Sequence, residues 1–106
     1  MSDVLTRLAA TIAARADADP SSSHTAKLLG KGVGKCAEKF GEEAVEAIVA
    51  AAQGDRANLI YEAGDVLYHL QVMLRAGGVD WAEVLAELER REGTSGVAEK
   101  AARPKG

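Results

Sequence analysis

Apolar positions recur along this chain at the spacing of helices. Leu5, Leu8 and Ile12 form an i, i+3, i+7 stripe that predicts a first helix from about Ser2 to Asp17. Pro20 and Ser21 to Ser23 end it and predict a loop running through His24, Lys27 and Gly30. The stretch Gly30-Lys31-Gly32-Val33-Gly34 is too rich in glycine for a stable helix and reads as a flexible connector. A second helix is expected over about Val33 to Gln53, stopping at Gly54. Asp55 is placed to cap a third, which runs to about Ala76 and stops at Gly77-Gly78. Asp80 followed by Glu83 resembles a capping box and opens a fourth helix ending near Glu92. On that helix Trp81, Val84, Leu85 and Leu88 make an apolar stripe suited to a core or to a second copy. The prediction is all-α, a bundle of four to five helices in one domain over residues 1–92, with an irregular tail over 93–106.

Composition agrees. Alanine dominates, β-branched runs are absent and aromatics amount to 4%. At 106 residues, 47% hydrophobic and 27% charged, the chain has the make-up of a single globular domain. A domain of this size buries only roughly two-thirds of its unfolded surface, and its long alanine-rich helices leave apolar surface over, so a homodimer is expected. The net charge of −3 gives no reason to expect nucleic acid or a membrane surface as partner. No stretch has the length of a membrane span, and the short run Leu8 to Ala14 lies between two arginines, unlike a signal peptide. A lone cysteine, Cys36, makes no internal disulfide and fits a cytoplasmic location; its apolar neighbours predict an inert core thiol.

Candidate chemistry lies on the second and third helices. Joined by a very short turn, they must run antiparallel side by side. Pairs whose residue numbers share a constant sum then lie at one height: Glu46 with Glu62, Glu43 with Asp65, and Lys39 with His69. Glu43 and Glu46 are i, i+3 neighbours, as are Glu62 and Asp65, with Cβ atoms about 5–6 Å apart. Glu42 falls in the same arc. One such pair is ordinary decoration of a solvated helix face. Two in register, flanked by Val45, Ile48 and Val49 on one side and Val66, Leu67 and Leu70 on the other, cannot all face bulk water. Crowded carboxylates repel one another unless a cation joins them. An oxygen-only ligand set suits Mg²⁺, which keeps waters and substrate phosphates in its shell.

The run Lys39-Phe40-Gly41-Glu42-Glu43-Ala44-Val45-Glu46, with Glu62-Ala63-Gly64-Asp65-Val66-Leu67-Tyr68-His69, resembles the phosphoribosyl-ATP pyrophosphohydrolases of histidine biosynthesis. These belong to the all-α nucleoside triphosphate pyrophosphohydrolases, the MazG-like superfamily, whose pattern is Glu-x-x-Glu, a spacer, then Glu-x-x-Asp. Here the spacer is residues 47–61, fifteen positions. Ser23-His24-Thr25, Lys31-Gly32, Lys35, Lys39 and Tyr68-His69 match the narrower family, as do Arg90-Arg91-Glu92-Gly93-Thr94-Ser95-Gly96 and Glu99-Lys100-Ala101. The likeness runs from about Ser23 to Arg103. Gly64 departs from the family's usual alanine, Phe40 and Cys36 from its more aliphatic residues, and no charged ligand is lost.

The resemblance implies Mg²⁺-dependent hydrolysis of 1-(5-phosphoribosyl)-ATP between its α and β phosphates, the second step of histidine biosynthesis. Glu43, Glu46, Glu62 and Asp65 are the implied catalytic carboxylates and metal ligands, and Glu43 or Glu46 the candidate to take a proton from the attacking water. Glu42 is a fifth candidate ligand, an outer partner, or simply paired with Lys39. Lys35 and Lys39 are candidates to hold the triphosphate, or to neutralise Glu38, Glu42 and Glu43. His69 is a candidate to contact substrate, set against a purely structural role. Arg91 and Ser95 are further substrate-binding candidates from the end of the fourth helix and the tail; cations there also suit a helix C-terminus. His24 reads as a plain loop residue.

The alternative within enzymes is a house-cleaning pyrophosphohydrolase of the MazG type acting on other nucleoside triphosphates. Outside enzymes it is a helical interaction module whose acids hold metal structurally or not at all. A di-iron carboxylate bundle would need paired Glu-x-x-His motifs, and here Glu46 and Asp65 stand where those histidines belong. Some relatives of the family are fused to the cyclohydrolase of the next step; one cysteine and two histidines cannot supply that enzyme's zinc ligands, so only the pyrophosphohydrolase step is expected.

Overall fold

A computed structural model describes residues 3–93 of the chain. Five helices follow one another there: α1 (Val4–Arg15), α2 (His24–Gly30), α3 (Val33–Ala52), α4 (Arg56–Ala76) and α5 (Trp81–Arg90). The described residues contain no strand, as an all-α reading requires. The tail beyond Gly93, including Ser95 and the Thr94 to Ala101 matches, lies outside the described residues.

α3 and α4 are the longest elements and form the antiparallel hairpin expected of them. Their turn, Gln53 to Asp55, is short because Gly54 takes a positive φ of 70°, open to glycine at little cost. Asp55 caps α4 by accepting from the Asn58 amide at 3.1 Å. At α5 the expected capping box is present: the Asp80 side chain accepts from the Glu83 amide, and the Glu83 carboxylate accepts from the Asp80 amide at 2.8 Å.

The predicted loop through His24, Lys27 and Gly30 is instead a helix. Ser23, taken above as loop, is the N-cap of α2, its hydroxyl accepting from the Ala26 amide at 3.1 Å. Thr25, Ala26 and Leu28 are buried against the hairpin, and that packing outweighs the helix-breaking run before them. The glycine-rich connector also shrinks to Lys31 and Gly32. Gly32 supplies a φ of 92°, and α3 begins at Val33 with Gly34 already in its first turn. α1 ends at Arg15, two residues ahead of expectation.

Packing is concentrated at the open end of the hairpin, away from Gly54. There Ile12 of α1, Leu28 of α2, Cys36 of α3 and Val72 of α4 form the core, with Leu8, Leu29, Tyr68, Met73 and Ala76 around them. Gln71 strengthens the same end by donating to the Leu5 carbonyl at 2.9 Å, tying α4 to α1. α5 lies against α1 and has no fully buried residue; Leu88 of its apolar stripe is exposed. The turn end of the hairpin, by contrast, exposes Val45, Ile48, Val49, Ile60 and Tyr61. No helix among the described residues is long and apolar enough to cross a membrane.

Candidate active site

Midway along the hairpin, α3 and α4 turn their acids toward each other. One carboxylate oxygen from each of Glu43, Glu62 and Asp65 lies within 4.8 Å of the others. Glu43 and Glu62 are each only 8% exposed, and Asp65 is half-buried. Acids are rarely this buried unless paired, yet Glu62 Oε2 has no hydrogen-bond partner among the described residues. Glu46 is exposed, but its carboxylate is close enough to disfavour ionisation of both Glu43 and Glu62.

The electrostatics follow from this crowding. Burial pushes the Glu43 pKa up, repulsion from Glu46 and then Asp65 adds to it, and Lys39 opposes them. Glu62 is pushed up by burial first, then by Glu46, Glu43 and Asp65. The donors are all hard oxygens, and the buried, unpaired Glu62 oxygen is what a cation would satisfy. The residues therefore fit a divalent ion of the Mg²⁺ class.

Lys39 stands at the edge of the cluster, with Nζ 3.5 Å from Glu42 and 3.6 Å from Glu43. Glu42 is exposed and belongs to this pair rather than to the group of three. Contact with Glu42, more than with Glu43, raises the Lys39 pKa and keeps the ammonium charged. Lys35 is one turn earlier, 3.3 Å from Glu38. The register of Lys39 with His69 is visible in their electrostatics. His69, 6% exposed, has its pKa lowered by burial and then by Lys39, with Asp65 pulling the other way.

His69 packs edge-on against Tyr68, ring centroids 5.0 Å apart. Tyr68 in turn shares a 2.6 Å hydrogen bond with Thr25 and lies near-parallel to the exposed ring of His24, centroids 6.4 Å apart. His24 is thus a helical residue beside the site rather than a plain loop residue; its charge also lowers His69. Reading α2 as a loop hid this, although Ser23 ahead of Thr25 and Leu28 was the available signal. Lys31, matched only as loop, is the C-cap of α2 and lines one groove with Lys35 and Lys39. Arg91 caps α5, with its guanidinium 3.1 Å from Glu87 of its own helix rather than on the carboxylates. Cys36 is an inert core thiol as expected, 1% exposed, donating to the Leu28 carbonyl at 3.2 Å, with its pKa raised by burial.

The profile described as phosphoribosyl-ATP pyrophosphohydrolase matches residues 5–92. The chain is 73% identical over 99 residues to the phosphoribosyl-ATP pyrophosphatase of Rhodobacter capsulatus, an overlap of 93% of this chain and 96% of that protein. It is 72% identical over 100 residues to the protein of that name from Cereibacter sphaeroides, covering 94% and 97%. With the one from Dinoroseobacter shibae it shares 73% identity over 100 residues, covering 94% and 98%.

Proposed function

The chain belongs to the phosphoribosyl-ATP pyrophosphohydrolase family, and from that membership we infer that it hydrolyses 1-(5-phosphoribosyl)-ATP to 1-(5-phosphoribosyl)-AMP and pyrophosphate. This is the second step of histidine biosynthesis. The observation that carries the reading to particular residues is the meeting of Glu43, Glu62 and Asp65 within 4.8 Å on the α3–α4 hairpin.

Glu43, Glu46, Glu62 and Asp65 would hold Mg²⁺, with Glu42 at the rim beside Lys39. When bound, Mg²⁺ supplies charge neutralisation and polarisation of the phosphoryl oxygens. The chain's own groups do the rest. Lys39 sets a cation where the triphosphate approaches the cluster, and Lys35 extends it along α3. Glu43 and Glu46 are the two carboxylates placed to receive the proton of the attacking water. His69, kept neutral by burial, is a hydrogen-bonding group at the substrate side of Asp65. Arg91 and Ser95 complete the set as phosphate-binding groups delivered from beyond α5.

The enzyme works as a homodimer in this reading, because Val45, Ile48, Val49, Ile60 and Tyr61 expose apolar surface at the turn end of the hairpin that this chain's other described helices leave bare. A cytoplasmic location belongs to the same reading, supported by a cysteine kept as a buried thiol. Pyrophosphate release with Mg²⁺ from phosphoribosyl-ATP, compared with dUTP, dCTP and ATP, tests the assignment. Clear preference for phosphoribosyl-ATP is expected. Preference for a plain nucleoside triphosphate would replace it with a house-cleaning role.

A further inference from the structure

A cavity of about 190 Å³ opens between the end of α2 and the outer face of α3, lined by Leu28, Lys31, Lys35, Glu38, Lys39 and Glu42. Its three lysines follow one another at steps of four residues. Lys39 is at the inner end, touching Glu43. Lys35 lies eight residues before Glu43, about 12 Å along the helix axis, and Lys31 lies beyond it at the C-cap of α2. The two carboxylates in the groove are already taken: Glu38 by Lys35 and Glu42 by Lys39. Lys31 has no carboxylate partner among the described residues. The groove is therefore cationic overall, with its uncompensated charge at the end remote from the acid cluster.

Building on the reaction inferred above, we propose that the Lys31–Lys35 end of this groove is an anion subsite for a phosphomonoester, the 5-phosphate of the substrate's second ribose. The substrate has an anion at each end. Its triphosphate belongs at the carboxylates, where Lys39 serves it. The other end is a dianion that a plain nucleoside triphosphate lacks, and it needs cations set apart from the metal. Lysine suits such a phosphate as a point charge. The ion pairs of Lys35 and Lys39 are exposed i, i+3 contacts, weak enough to yield to a phosphate. Lys31 and Lys35 would then select phosphoribosyl-ATP over ATP.

Two measurements test the subsite. With Lys31→Gln, an exposed change that leaves the core intact, the KM for phosphoribosyl-ATP should rise about tenfold while the Ki of ATP as competitor stays put. Equal weakening of both ligands would assign Lys31 to the triphosphate, and no change in either would leave the groove without a role in binding; both overturn the proposal. Independently of turnover, ribose 5-phosphate in excess chelator should shift the amide resonances of Lys31 and Lys35 saturably in the wild type and not in Lys31→Gln. Absence of those shifts overturns the subsite even in an active enzyme. A wild type that cleaves no phosphoribosyl-ATP yet binds ribose 5-phosphate in the groove would instead remove the reaction and keep the subsite.

Discussion

Thr25 Oγ1 and Tyr68 OH meet at 2.6 Å across 43 residues of sequence and pin the short α2 to α4 beside the acids. A part-buried hydroxyl pair of this kind contributes about 1 kcal/mol net. Tyr68→Phe is expected to cost about that much in urea unfolding. Adding Thr25→Val should cost little more, since both changes remove one contact. Fully additive losses would mean that the two hydroxyls act separately.

Glu62→Gln and Asp65→Asn should each lower kcat/KM more than about 100-fold, because even partners that only orient a ligand typically contribute 10–100-fold. Far-UV circular dichroism should not change, as neither substitution alters much volume. Either variant retaining full turnover would place the chemistry elsewhere.

The same cluster predicts an unusual pH response. Glu43 and Glu62 have folded-state pKa values raised above 4.5. Their contribution to stability is complete below 4.5 and disappears as pH rises through the raised values. In excess chelator, wild type should therefore lose Tm relative to Glu62→Gln as pH rises above 4.5. His69, lowered from 6.5, acts in the opposite sense up to that pH, and being present in both proteins it cancels in the comparison. Mg²⁺ at neutral pH should raise the Tm of wild type and much less that of the variant. A difference that stays flat with pH would contradict the crowding of charge.

Light scattering at micromolar concentration should give twice the chain mass for wild type and a single chain mass for Ile48→Glu or Ile60→Glu. Both residues are largely exposed, 65% and 60%, so the substitutions leave the core alone. A wild-type monomer would remove the dimer from the proposed function.

Cys36 should resist thiol reagents in the folded protein and react only on unfolding, since its sulfur is covered and burial disfavours the thiolate. Rapid labelling under native conditions would show that α2 opens readily.

Much of this site is legible in the amino-acid sequence. Two long amphipathic runs joined by a turn of a few residues permit only one pairing, so the opposition of Glu43 to Asp65 and of Lys39 to His69 followed from counting. Gly64, a helix-weakening residue beside the cluster, leaves α4 unbroken because a helix of 21 residues carries one glycine easily. The sequence hid what depends on tertiary burial. α2 has seven residues, too few for periodicity to register, and its stability comes from a serine cap and from burying Thr25, Ala26 and Leu28. With α2 unread, the neighbourhood of His24 and the lysine groove beside Leu28 were also out of sight. Nor does spacing distinguish Glu42, which faces outward to Lys39, from Glu43 beside it, which faces in.

The four carboxylates come from residues 43 to 65, one continuous hairpin, and the clamp that holds its open end is made by helices that precede it in the chain. Every group of that cluster therefore precedes α5 in the chain, and the pairing that assembles it spans only the short separation of one hairpin. The reactive half of the molecule is built from its most local tertiary pairing, that of α3 with α4, whereas α5 is docked onto α1.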